Sequence, residues 1–224
     1  MKRLIAVLII SCAGVTTISA QVTRGGIYAS ADRAFRFIEQ NTFVTPEEFP
    51  QWGYTAGIAI ERQKSKRFWM QGGFYFTNKG YTSGEKRAFS VGFSTLCYSA
   101  SYYQAGLSYT GQYYFFNKNL RLFIAAGVGL NRVVGARQDS VLTRTDGSTV
   151  QRISHKNPDW GRMPLTALAN IGLEKDFGEI TIRLYVAFSY AFTRYEHISS
   201  KHSIWPYSRG IGLAVYKKLN FNEK

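Results

Sequence analysis

"EITIRLYVAFSYAFTR", residues 179–194, contains no glycine or proline and is apolar at most positions. Ile180, Ile182, Leu184, Val186, Phe188, Tyr190 and Phe192 fall on one parity, and Thr181, Arg183, Tyr185, Ala187, Ser189, Ala191 and Thr193 on the other. A period of two held without a slip marks a β-strand with one apolar face, because successive side chains point to opposite sides. Helical periodicity would mix the two sets. The segment is longer than the ~5–6 residues usual in a globular strand. It is also too interrupted for a membrane helix, which needs roughly 20 mostly apolar residues, but it is long enough for a tilted membrane strand of ~9–11.

The same alternation recurs over 53–62, 67–78, 101–116, 120–131, 164–175 and 209–221. Arg24–Ala31 is counted as a further strand, although it is too short for alternation to define it; with it the chain has eight. Residues 63–67, 117–119 and 176–178 read as tight turns, whereas 32–52, 79–99, 133–163 and 195–206 are long connections. Long and short connections in turn are the plan of an up-and-down antiparallel barrel in an outer membrane, long loops outside and short turns in the periplasm. The expectation is therefore an all-β, eight-stranded antiparallel transmembrane barrel with both termini periplasmic. A two-residue turn at Phe177-Gly178 would pair Leu173 with Ile182 and Ile171 with Leu184. That register keeps the two faces unmixed and makes Glu174 and Arg183 diagonal neighbours on the polar side.

The apolar parity carries no charge through the middle of any strand; Lys175 and Lys217 lie near the turn ends. A Lys or Arg facing lipid costs about 2–4 kcal/mol at the bilayer midplane and little at the interface. Tyr54, Phe76, Tyr103, Tyr190, Phe192 and Tyr207 fall near the loop ends, and Phe68, Tyr113, Phe115 and Phe221 near the turn ends. Two aromatic belts around an aliphatic band are an interfacial pattern. On the opposite parity Gly57, Gly73, Gly106, Gly127, Gly172 and Gly212 mix with Trp69, Tyr75, Tyr102, Tyr114, Phe123, Tyr185 and Tyr216. Eight strands enclose a space that side chains just fill, so large residues opposite glycines predict a filled lumen. Glu61, Arg121, Glu174, Arg183 and Lys218 share this parity and are expected to form ion pairs there, with hydrogen bonds to tyrosine hydroxyls.

Bulk composition agrees: aromatics are 16% of residues, charged residues only 19%, and proline is scarce at 5. The start, "MKRLIAVLIISCAGVTTISAQ", reads as an export signal with Lys2 and Arg3, an apolar run over Leu4–Ile10 and cleavage after Ala20. Residues 1–20 are thus expected to be removed, leaving 21–224 as one barrel domain. Ile9-Ile10-Ser11-Cys12 also resembles a lipoprotein box, which would lipidate Cys12 instead. After cleavage at Ala20 only Cys97 remains, so no intrachain disulfide can form. The formal charge of +14 points to an anionic partner. Export, the absence of any run of five like charges, and the lack of zinc-finger or RNP-like spacing argue against nucleic acid.

"SVLTRTDGSTVQRIS", residues 140–154, centres on Asp146-Gly147 and predicts a hairpin rising above the membrane as an exposed edge. Arg137, Arg144, Arg152, Lys156 and Arg162 make this loop basic, suited to lipopolysaccharide phosphates or an acidic envelope protein. His155, His197 and His202 lie in outer loops, and Ser199, Ser200 and Ser203 flank the last two without a spacing that ties them to Glu196. No catalytic, cofactor or metal residue is assigned, and a non-enzymatic protein is expected. The alternative is a lipid-modifying outer-membrane enzyme, which would need one of these Ser or His side chains held by an acid.

"FYFTNKGY" (74–81), "YYQAGLSYTGQYYFFNKNLRLFIAAGVGLN" (102–131) and "GIGLAVYKKLNF" (210–221) resemble the small outer-membrane barrels of the PorT-like family of Bacteroidetes-type bacteria. The likeness spans most of 22–221 and is one of architecture. It implies outer-membrane lipid as surroundings and recognition of the last strand, ending at Phe221, by the barrel-insertion machinery. It also raises a role in a secretion or envelope assembly. It carries no catalytic residues.

Overall fold

A strand that faces hydrocarbon must find a partner for every backbone donor and acceptor within the sheet, and only closure of the sheet supplies them all. The computed structural model describes residues 22–39, 48–83, 86–87, 93–115, 119–156, 165–192, 195–196 and 203–219, and the chain in it is closed in this way. Eight long strands form the wall: β1 (Thr23–Glu39), β2 (Trp52–Gln63), β3 (Phe68–Ser83), β4 (Phe93–Tyr114), β5 (Leu120–Arg144), β6 (Leu165–Phe177), β7 (Ile180–Ala191) and β8 (Ser203–Leu219). Each is antiparallel to its sequence neighbour, and β1 pairs with β8 from Thr23↔Leu219 to Glu39↔Ser203. The first and last strands therefore begin and end at the same rim. The short segments Glu48–Pro50, Lys86–Arg87, Thr149–Lys156 and Tyr195–Glu196 add to the opposite rim.

The wall is taller than alternation implies. β1 runs 17 residues to Glu39 rather than stopping at Ala31, and β5 runs 25 residues into the connection expected from residue 133. Alternation missed the upper half of β1, 32–39, because charged residues fall on both parities there, Asp32 and Arg36 on one and Arg33 and Glu39 on the other. Pairing on both sides, with β2 and β8, makes β1 a strand. On the β4–β5 pair the register shifts between Tyr103 and Gln104, whose partners are Gly135 and Val133. Val134 is thus a bulge of the kind that marks the rims of barrels. Beyond it β5 continues to Arg144, turns through Gly147 (φ +83°) and returns as Thr149–Lys156, which is the hairpin expected around Asp146-Gly147.

One register expectation needs correcting. The β6–β7 turn is Gly178-Glu179, with Phe177 opposite Ile180 and Leu173 opposite Leu184. Gly178 has φ +67°, the left-handed backbone that a type II′ hairpin turn places at its first central residue. The shift is of two residues, so each side chain stays on its expected face, since only an odd slip exchanges faces. Glu174 moves from a diagonal to a direct cross-strand pairing with Arg183.

The outer face is apolar where soluble proteins are wet: Ile27 is 64% exposed, Ile58 60%, Leu107 60% and Ile211 64%. Aromatic rings gather toward its edges. Phe76 lies 6.3 Å from both Tyr54 and Tyr103, spanning three strands, and at the turn end Tyr113 meets Phe115 at 5.4 Å. Inside, aromatic rings lie over glycines of the next strand. Tyr185 is paired with Gly172 on one side and Gly212 on the other, and Phe123 also faces Gly172. A Cβ added at Gly212 would stand 2.3 Å from the Tyr185 ring. The ring occupies that space.

Replacing Gly212 by Val should lower unfolding free energy by about 1–3 kcal/mol, the usual cost of overpacking a filled interior. The readout is the urea midpoint of tryptophan fluorescence in lipid vesicles. Gly72→Ala is the control, because a Cβ there meets nothing within 4 Å.

Candidate functional site

The lumen gathers the polar side chains that the outer face excludes. Its lower half, toward the short turns, holds Arg24 from β1, Glu61 from β2, Arg121 from β5, Glu174 and Asp176 from β6, and Arg183 from β7. Glu61 and Glu174 are fully buried, and Arg24 is 2% exposed. Arg24 donates from Nε to Glu61 at 2.6 Å and from Nη1 and Nη2 to the two oxygens of Glu174 at 2.9 Å each. Arg183 repeats the pattern, reaching Glu61 Oε1 at 2.8 Å and Glu174 Oε2 at 2.5 Å. Arg121 bridges Glu174 at 2.5 Å and Asp176 at 2.8 Å. Three guanidiniums thus face three carboxylates.

Neutral groups add further hydrogen bonds to the knot. Tyr114 donates to Glu174 at 2.8 Å and accepts from Arg24 at 2.8 Å and Arg183 at 2.9 Å. Gln112 donates to Glu61 at 2.8 Å. The guanidinium faces are covered as well: Arg24 lies 4.2 Å over the Trp69 ring and Arg183 4.5 Å over Phe123. Planar, permanently charged guanidinium suits such a site better than lysine, because its fork pairs with carboxylates while its face stacks on rings.

Four of the five residues expected in the lumen network are therefore in it: Glu61, Arg121, Glu174 and Arg183. Lys218 is the exception. It is only half-buried and, among the described residues, makes no ion pair with either glutamate. It stands directly opposite Arg24, which already occupies the place between Glu61 and Glu174, so a second cation finds no free carboxylate there. Arg24 is the residue that sequence reasoning missed. Its signal was present, since it has the same parity as Tyr28 and Ser30, but so short an alternating segment gave that parity no face.

Above this knot the lumen opens into a cavity of about 100 Å³, floored by Arg183 and Tyr216. Its wall is rich in hydroxyls and amides with one cation and one carboxylate, Lys79 and Asp32. Lys79 donates to Ser189 at 2.7 Å, Ser30 donates to Asp32 at 2.8 Å, and Asn131 donates to Thr166 at 2.8 Å. Tyr75 and Asn131, and likewise Thr55 and Asp32, are hydrogen-bonded to each other. Among the described residues no cluster of His, Cys, Asp or Glu could hold a metal ion.

The basic loop resolves into the β5 extension and its partner segment. Arg137 is ion-paired with Asp139 at 3.1 Å, and stands opposite His155 in the register. Arg152 stands opposite Ser140 and Lys156 opposite Ala136, so these positions share the parity of Arg144 and not that of Arg137. The position of Arg137 therefore falls on the opposite face of the hairpin from those of Arg144, Arg152 and Lys156, and the side chains of the last two lie outside the described residues. At the tip Asp146 accepts hydrogen bonds from the side chain and backbone of Ser148 at 2.6 and 2.8 Å, which hold its carboxyl below the usual range. Arg162, His197, His202, Ser199, Ser200, Phe221 and the leader with Cys12 lie outside the described residues, as do the side chains of Cys97, His155 and Ser203.

Glu174→Gln should destabilise the barrel by about 3–5 kcal/mol, because it leaves Arg24, Arg121 and Arg183 short of a buried counter-charge. Lys218→Met should change stability by less than about 0.5 kcal/mol. Urea titration of both variants in the same vesicles separates the two outcomes.

No protein-family model matches the chain, and neither does any curated protein. Solved structures do. The chain is similar to Neisserial surface protein A, with a TM-score of 0.50 at 8% identity over 90% of this chain and 100% of that one. It also matches the outer membrane protein OprG of Pseudomonas aeruginosa, with a TM-score of 0.44 at 10% identity over 88% and 94% of the two chains. At 8% identity the likeness to Neisserial surface protein A is one of fold, and that fold is the closed, eight-stranded antiparallel barrel.

Proposed function

We propose that this chain is a small outer-membrane barrel with a structural or binding role, working through its extracellular surface and not as a pore. The observation that carries this reading is the inversion of polarity. Aliphatic side chains such as Ile27 and Ile211 are more than half exposed on the wall, while Glu61 and Glu174 are wholly buried inside. Lipid is the surrounding that makes such a wall stable. The paired rims support periplasmic termini, because the end that holds Thr23 and Leu219 also holds the tight turns. The ion-paired knot supports a closed lumen, because three guanidiniums, three carboxylates and the rings that cover them crowd its lower half.

A second reading, a component of a secretion or envelope assembly of the PorT-like kind, is favoured by one feature. Thr149–Lys156 pairs only with β5 among the described residues, which leaves its other side as a sheet edge. An unpaired edge is a template for strand addition by a partner.

The folded protein should shift mobility on heating, resist carbonate extraction, and give no stepwise conductance in planar bilayers. Carbonate release together with unchanged mobility would remove the membrane reading, and stable conductance steps would remove the closed lumen. Replacing residues 140–153 by a short turn should abolish partner co-purification from detergent-solubilised membranes if the assembly reading holds. Unchanged capture would exclude that edge.

A further inference from the structure

Two arginines break the apolar character of the outer wall at one height. Arg33 of β1 and Arg209 of β8 are direct cross-strand partners, and both are exposed. Like charges directly opposite one another destabilise a sheet pair, and among the described residues neither guanidinium pairs with a carboxylate. Instead both converge on the same ring: Arg33 lies 5.9 Å and Arg209 5.1 Å from the centre of Phe35, which is stacked on Tyr207 at 5.1 Å. Converging, exposed forks with no anion paired to them among the described residues form a site for an external one. Guanidinium pairs match the oxygens of a phosphate group in particular.

Height and shape name the source of that phosphate. Lys217 and Arg209, both on the outer face of β8, are separated by eight residues, which at ~3.3 Å each and ~40° tilt is on the order of 20 Å along the membrane normal. That is close to the ~25 Å of a barrel's apolar band, and so brings the pair to the outer headgroup level. Directly below Arg33 the outer face of β1 carries only Ala31 and Ala29, both exposed, beside the larger Ile211 and Leu213 of β8. The result is a shallow apolar trough leading down from the cations. An anionic head with an acyl chain beneath it fits this arrangement, whereas a free anion would use only the upper part.

We propose that Arg33 and Arg209 bind a phosphate of lipid A, the phosphorylated glycolipid of the outer leaflet, with an acyl chain lying over Ala31 and Ala29. This rests on the outer-membrane reading above. It also places the lipid contact on the barrel wall and not on the basic loop.

The test is native mass spectrometry of the full mature chain, folded in detergent, titrated with bis-phosphorylated lipid A, its dephosphorylated form, phosphatidylglycerol and inorganic phosphate. Wild type should hold one lipid A, and R33Q/R209Q should bind it about tenfold or more weakly, as loss of charged hydrogen bonds implies. R33K/R209K should fall between them, since it keeps charge but loses the fork. Ala31→Phe should weaken lipid A and leave inorganic phosphate unchanged. Wild-type affinity in R33Q/R209Q, or equal binding of dephosphorylated lipid A or phosphatidylglycerol, overturns the site. An unaffected Ala31→Phe variant overturns the trough. Heat-shifted mobility and vesicle insertion are recorded on the same samples. Their failure overturns the outer-membrane reading, whereas their success without lipid A binding overturns this proposal alone.

Discussion

The buried carboxylate pair, Glu61 and Glu174, is what the rest of the molecule is arranged around. Two negative charges removed from water are tolerable only if cations and hydrogen-bond donors surround them completely. Here the donors come from four of the eight strands, Arg24 on β1, Gln112 and Tyr114 on β4, Arg121 on β5 and Arg183 on β7, and the two carboxylates from β2 and β6. The knot therefore ties distant parts of the wall to one another: Arg24 and Glu174 are 150 positions apart in the chain. Without it the ring would still be closed by backbone hydrogen bonds, but its interior would hold separated charges.

The same arrangement divides the lumen by height. Below, charges neutralise one another and aromatic rings cover them. Above, the hydroxyls and amides around Asp32 and Lys79 leave a cavity of about 100 Å³. The aromatic–glycine pairings explain how a lumen so narrow accommodates so many rings. Each ring lies flat across a neighbour that has no side chain, as Tyr185 does over Gly212. Outside, the wall follows the opposite logic, and its few cations sit near the two edges of the apolar band. At the lower edge Lys175 and Lys217 are dispersed on separate strands. At the upper edge Arg132 lies on β5, away from the β1–β8 seam. Arg33 and Arg209, by contrast, are held together on one ring, and that difference separates interface charges from a binding site.

Much of the fold was legible in the chain because a period of two is a local property. Residues 179–194 carry it without help from any other segment, and so do most of the strands that follow. Parity also told which side chains share the lumen, hence Glu61, Arg121, Glu174 and Arg183. It failed where contrast between faces was missing, as in β1, and with it Arg24 went unassigned. Lys218 shows the other limit. Parity gives a face but says nothing of whether a partner at that height is already taken.

By itself, then, the sequence determined strand identity, the two faces, the order of long and short connections and a lumen too crowded to be empty. These follow from alternation and side-chain size along a single strand. The tertiary structure decided the register of the β6–β7 turn, the pairing of β1 with β8, and which arginine meets which carboxylate. Those depend on how strands far apart in the chain are brought side by side. Arg33 and Arg209 make the point most plainly: they are unremarked singly in the sequence, and become a pair only when the first strand closes against the last.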